Sequence, residues 1–364
     1  MNMRFPRSIL RARLEKFQSY LKEKNIDAAM IRTLSSFVYF TGIKWLRPAL
    51  LIPAEGEPIA FIAKGEEEGF LERTWIENIV AYSEGGEVMA SVSGTIRKSR
   101  YRVVGLEFGV ERDAYILFYE FFKRLNRNVK VVDISDIIYQ MRMFKDDYEL
   151  DAIRKAGEIA SGAMKKMLET LDIGISETDI AAEGYRFLYK HGCEEPKVYV
   201  DAGPYPRVHS EPLRDNYVKE NTFVTIIIGA DYNHYYANIS RTVYIGKPDK
   251  KARDALECID AVYNLAFEKT HADVKPITIM RELEEVYKKY GMARYHVRGY
   301  LHGVGLKIEE TPITTIVPNH RTIMLKSRMV IALVHAPIMI SGIGQLKRED
   351  TFIIEDDGSL DKVT

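Results

Sequence analysis

The second half of this 364-residue chain holds the side chains best suited to chemistry. They are His209 in HSEP, His302 in HGVG, Glu309 and Glu310 in KIEET, His335 in LVHAP and Glu349 in KREDT. Two histidines and one carboxylate, as in His302, His335 and Glu349, make a sound ligand set for one transition-metal ion. Glu309, Glu310 and Glu349 offer a different chemistry. Neighbouring carboxylates in a pocket push one pKa towards neutrality, which makes a metal-free acid/base group. Each residue also has a structural reading. His209 reads as a loop residue near Pro206 and Pro212, and His335 as a strand-end or core histidine. His302 sits between glycines, where a hydrogen-bonding role serves equally well. Glu309 and Lys307 read as solvated charges on one strand face, and Lys347 and Arg348 as partners of acidic neighbours.

The elements that must position these residues are legible in the pattern. Thr222 to Gly246 is two strand-like runs joined by a polar turn around Asp231 to His234. Ile227 and Asn238 lie eleven residues apart on its opposite arms. Leu150, Ile153, Ala156, Ala160 and Met164 form one helical face. Ser176, three residues before Asp179, predicts a capping box on a helix running to Lys190, with Gly192 as its C-terminal cap. Further helices are expected over Lys251 to Lys269 and Pro276 to Tyr290. In the first half, Leu14, Phe17 and Leu21 mark a helix ending at Asn25. DAAMIR, FVYFTG, ALLIPAEG and EPIAFIA read as strands, the last two hairpin-like about a Gly turn. Tyr101 to Leu106 and Val129 to Val132 read as strands on either side of a helical stretch from Arg112 to Asn126.

This alternation predicts an α/β (α+β) chain of two domains, 1–142 and 143–364. Apolar residues make up 46% and charged residues 29%, the usage of a water-soluble globular protein. Lys plus Arg and Asp plus Glu number 52 each, so no global charge draws the chain to nucleic acid or anionic membrane. Cys193 and Cys258 form no CxxC pair, which excludes a disulfide framework and a zinc knuckle. No apolar run approaches the roughly 18 residues of a membrane span, and the charged N-terminus has no signal-peptide core. A cytoplasmic location is expected. Three Gln amid many Lys, Arg and Glu match thermophilic usage.

Several ordered motifs resemble the M24 peptidase family, which includes prolidase and aminopeptidase P. They are RLEKFQSYLKEKNIDAAMI followed by YFTG; Arg142, Lys145 and Glu149 at the domain boundary; IGA and NISRT in the hairpin; HSEP; HGVGLKIEETP; and KREDT. The resemblance spans essentially the whole chain and implies a creatinase/prolidase-like N-terminal domain and a pita-bread catalytic domain. It also implies a two-metal site with two Asp, one His and two Glu as ligands. Here the two Asp positions read Ile227 and Asn238. The His and last Glu positions read His302 and Glu349. The remaining Glu position falls on Val334, or on His335 if one residue is inserted in MVIALVHAPIM. His209 resembles a substrate-contacting histidine, and a second family histidine falls on Glu309. Four family carboxylates thus become one, too few to offset two dications in a partly buried pocket.

The expectation is therefore a family relative with a degenerate metal site and no ordinary dinuclear cofactor. It would retain a peptide-sized cleft for a small peptide. Two alternatives stand beside it. One is a metal-independent, creatinase-like C–N hydrolase using His209, His302, Glu310 and Glu349 on a small C–N substrate. The other is an Xaa-Pro peptidase with an altered site or a single divalent ion (Mn, Co, Zn or Fe) on His302, His335 and Glu349. The resemblance implies a homodimer; membrane and nucleic acid are not expected partners.

Overall fold

The computed structural model describes residues 4–109, 114–209 and 211–364. They form two compact units, Met1–Arg142 and Met143–Thr364. Arg112, Asp113 and Ser210, which carry parts of the expected features, lie outside the described residues.

The first unit is built on a six-stranded mixed sheet. Its order is Asn78–Tyr82, Ile59–Ala63, Leu50–Pro53, Ala28–Ile31, Val103–Leu106 and Lys130–Asp133. Leu50–Pro53 and Ile59–Ala63 pair antiparallel around Gly56, whose φ of 103° needs glycine. The helix Arg7–Glu23 buries Leu14, Phe17 and Leu21. FVYFTG differs from expectation: it lies in the helix Leu34–Thr41, ended by Gly42 in the left-handed region. Phe37 to Thr41 are all buried, so no polar face marks the helical period, and an apolar run of that length reads equally as strand.

The second unit is an antiparallel sheet of eight strands. Seven run in the order Glu310–Ile313, Leu301–Gly303, Val330–Leu333, Glu349–Ile354, Tyr235–Ile245, Thr222–Tyr232 and Lys197–Ala202; Leu360–Lys362 pairs beside Glu349–Ile354. Helices Asp147–Glu169 and Glu177–Lys190 close one hydrophobic core against the hairpin. Helices Lys250–Lys269 and Pro276–Lys289 close another with Ile331, Leu333 and Phe352. Asp146 and Glu149 form a reciprocal capping box at the start of the first of these helices. The hairpin turns at Asn233 and His234, both with positive φ (48° and 71°), the geometry of a tight two-residue turn. Among the described residues no helix is long and apolar enough to cross a membrane.

Candidate functional site

The hairpin alternates strictly. Val224, Ile226 and Ile228 enter the core beneath the helices, so Ile227 and Gly229 face the other way. Register then lines up one row across four strands. Tyr199 lies opposite Ile227, Ile227 opposite Ser240, and Ser240 opposite Glu349. Gly229 lies opposite Asn238 in the next row. A Cβ on Gly229 would come within 2.5 Å of Ile308 Cδ1, so only glycine lets this segment approach.

His302 comes from the short strand Leu301–Gly303, paired with Ala332. Beyond that partner strand, Val334 adopts φ +59°, a rare conformation for a β-branched residue. This twist interrupts the alternation. Val334 packs in the core with Leu333 and Ile338, and His335 turns back to His302, with ring centroids 4.5 Å apart and edge to face. The sequence left Val334 and His335 as equal choices; His335 is the one beside His302.

His209 sits on the loop after Lys197–Ala202, with φ +48°. Buried Glu177 holds that loop. It accepts hydrogen bonds from Ala202 N (2.7 Å), Leu213 N (2.8 Å) and Asn216 Nδ2 (2.8 Å), and pairs with Arg207. His209 Nε2 is 3.4 Å from Glu309 Oε1.

These elements enclose a cavity of about 320 Å³. His209, Ile227, Asn238, His302, Glu309 and Glu349 all line it. So does Lys347, whose place in the cavity was not read from sequence although it stands two residues before Glu349. Tyr199, Glu211 and Ile308 are also in the wall. Glu310 is not brought to the cavity. Its carboxylate lies 2.9 Å from Lys145 Nζ, both buried, and packs on Gly305, where a Cβ would fall 2.1 Å from Glu310 Oε1. Glu309 differs from the expected strand face: it lies in the bend just before the strand Glu310–Ile313 and lines the cavity, while Glu310 opens the strand and faces Lys145.

Residues 151–356 match the pattern of metallopeptidase family M24, and residues 13–144 that of the creatinase/prolidase N-terminal domain. The chain belongs to metallopeptidase family M24. This M24 chain is 27% identical over 356 residues to the Xaa-Pro dipeptidase of Pyrococcus furiosus, covering 96% of this chain and 97% of that protein. The prolidase structure from Pyrococcus horikoshii OT3 shares the fold at TM-score 0.85 and 24% identity, covering 97% of this chain and 98% of that one. The X-Pro aminopeptidase from Thermotoga maritima does so at TM-score 0.84 and 22% identity, over 96% and 97% of the two chains.

The M24 chain's cavity floor is an ionic chain. Lys347 Nζ lies 2.7 Å from Glu349 Oε2, and His302 Nε2 3.2 Å from Glu349 Oε1, with all three side chains buried. Burial alone would raise the Glu349 pKa. The Lys347 charge and the hydrogen bond and charge of His302 reverse this and hold it well below the usual carboxylate range. Burial disfavours a charged His302, but the Glu349 bond and charge win and raise its pKa. His302 Nδ1 donates to Gly303 O at 2.8 Å, since a carbonyl can only accept. His335 is held well below the ordinary histidine value by burial, then by the positive charges of His302 and Lys347. Burial and Lys347 lower the His209 pKa, with Glu309 opposing.

Several buried polar atoms in this region make no hydrogen bond among the described residues: both ring nitrogens of His335, Asn238 Oδ1, Ser240 Oγ and Glu349 Oε2, the last held by the Lys347 charge alone. Asn238 Nδ2 is satisfied by Ile308 O at 2.8 Å. The expectation of no cofactor is therefore not carried by the geometry. His302, Glu309 and His335 each offer one donor atom, all within 4.8 Å of one another, a group able to take one metal ion. Glu309 stands in that group where the sequence reading placed Glu349.

Proposed function

We propose that this chain is an M24 relative that does not run two-metal peptide hydrolysis and uses its cleft to bind a small peptide. The observation that carries this reading is the Lys347–Glu349 contact at 2.7 Å on the cavity floor. An ammonium already sits in ion-pair contact with the one carboxylate that the family resemblance leaves among the metal ligands. Ile227, in the same cavity, has no ligand atom, and Asn238 offers only a neutral amide oxygen, its Nδ2 donating to Ile308 O. A dinuclear ion pair does not fit this set: two dications beside Lys347 would face too few anionic ligands. The cavity volume of about 320 Å³ lies in the range of small-ligand sites and suits a dipeptide. Relatives named Xaa-Pro dipeptidase support a proline-containing peptide as the ligand type.

In this reading Tyr199 and Ile227 supply apolar contact, while His209 and Lys347 present charge or hydrogen bonds to the peptide's polar ends. A cytoplasmic homodimer is part of the same proposal: the homodimer rests on the family resemblance, and the location on the charged N-terminal sequence and the lack of a membrane-length apolar run. Calorimetric titration with Xaa-Pro dipeptides, alongside product analysis of the same samples, tests the function. Saturable binding without cleavage is expected. Mn- or Co-dependent cleavage with two ions per chain would overturn the reading.

One observation favours a second reading. The His209–Glu309 pair opens onto the cavity with His302 nearby, an arrangement able to move protons without metal in a C–N hydrolase. Turnover of a small C–N substrate in the presence of chelator, lost in His209→Ala, would favour it.

A further inference from the structure

His335 is one of several buried polar residues whose side chains lack a hydrogen-bond partner among the described residues. It is 4% exposed, and neither ring nitrogen has a hydrogen-bond partner among the described residues. A buried polar group without a partner costs roughly 1–3 kcal/mol. Val334 also holds a left-handed backbone conformation that turns the ring to this place. Two unfavourable features that together set one imidazole against His302, within ligand reach of Glu309, point to a ligand for that imidazole.

We infer that His302, Glu309 and His335 form a seat for one divalent transition-metal ion, zinc or cobalt in character. This goes beyond the proposed function, which concerns the loss of the two-metal reaction and the binding of a small peptide and assigns no metal. Two imidazoles and one carboxylate suit such an ion better than calcium or magnesium. The Gly303 carbonyl fixes the His302 Nδ1 proton, which leaves Nε2 as the coordinating atom. Binding there breaks the His302 Nε2–Glu349 Oε1 contact and releases the Nε2 proton to solvent. Donor atoms around a tetrahedral ion stand about 3.4 Å apart, whereas these lie within 4.8 Å, so the group must contract. Glu309 can supply the movement. Its side chain is 21% exposed, and its ion-pair partner His209 is itself on an exposed loop.

One ion leaves a single uncompensated positive charge in this group, and two leave three. Lys347 and Glu349 neutralise each other beside the seat, and Glu309 offsets half of a dication. Three protein ligands leave a coordination position open.

The test is titration of the full chain, stripped with chelator, with Co²⁺ and separately Zn²⁺. Visible absorbance reports Co²⁺ coordination, and elemental analysis after dialysis reports stoichiometry. One ion per chain is expected. His335→Ala and Glu309→Gln should each weaken affinity at least about tenfold, with His271→Ala as an unaffected surface control. Circular dichroism establishes that each variant is folded, and His335→Gln provides a variant closer in size. No bound ion, or unchanged affinity in folded His335 and Glu309 variants, overturns the inference and leaves the proposed function standing. Two ions per chain overturns both.

Discussion

Lys347 Nζ and Glu349 Oε2 lie 2.7 Å apart with both side chains almost wholly excluded from water. Each depends on the other, because breaking a buried pair leaves an uncompensated charge. Lys347→Ala is expected to lower unfolding free energy by about 3 kcal/mol. The double change Lys347→Met with Glu349→Met should recover most of that loss. Urea denaturation of the three proteins checks this. A negligible loss in Lys347→Ala would mean that the pair does not hold the cavity floor.

His209 stands apart from the core, its side chain 41% exposed and facing Glu309. His209→Ala should leave stability within about 0.5 kcal/mol of the parent. Affinity for Xaa-Pro dipeptides should fall several-fold. Calorimetry and thermal melting on the same samples separate the two effects. Unchanged affinity would remove His209 from the binding site.

The loop that carries His209 is tied down by Arg207 against Glu177 and Asp201. Glu177 keeps its backbone donors if Arg207 is lost, so Arg207→Ala should cost about 1–3 kcal/mol rather than unfold the chain. Its signature should be local. Limited proteolysis is expected to cut between residues 203 and 217 faster than in the parent, and equal rates there would contradict the tether.

Asp201 gives a pH dependence with a definite sign. Burial pushes its pKa up to about 6 from 3.8, against the opposing pull of Arg207. A folded pKa above the unfolded one favours folding below the unfolded value, and that contribution is lost as pH rises through about 6. Acidification from about pH 7 to about pH 5 should therefore gain about 1 kcal/mol from this group. Asp201→Asn should lack that increment. Denaturation of both proteins across that window measures the difference, and parallel curves would refute it.

Much of the architecture was readable because pattern and capping agree. The Ser176 cap, the Asn233–His234 turn and the Leu150 to Met164 face are local features that survive folding unchanged. FVYFTG failed for the opposite reason: a helix buried on all sides shows no periodicity. At the site, His209, Ile227, Asn238, His302 and Glu349 were legible and do share one cavity. Val334 and His335 could not be ordered, because a single positive φ decides which faces in and no sequence rule places it on valine. Glu309 and Glu310 are adjacent, and the point where the bend passes into the strand, at Glu310, sends one to the cavity and the other to Lys145. Lys347 reads correctly as the partner of an acid, but its place on the cavity floor follows from strand register.

The claim that the two-metal reaction is lost is tested most directly by one paired measurement. The purified chain is saturated with Mn²⁺ or Co²⁺, dialysed, assayed for bound metal and, in the same preparation, for cleavage of Xaa-Pro dipeptides. At most one ion per chain and no Mn- or Co-dependent cleavage is the predicted result. Two ions per chain with metal-dependent release of proline would contradict it.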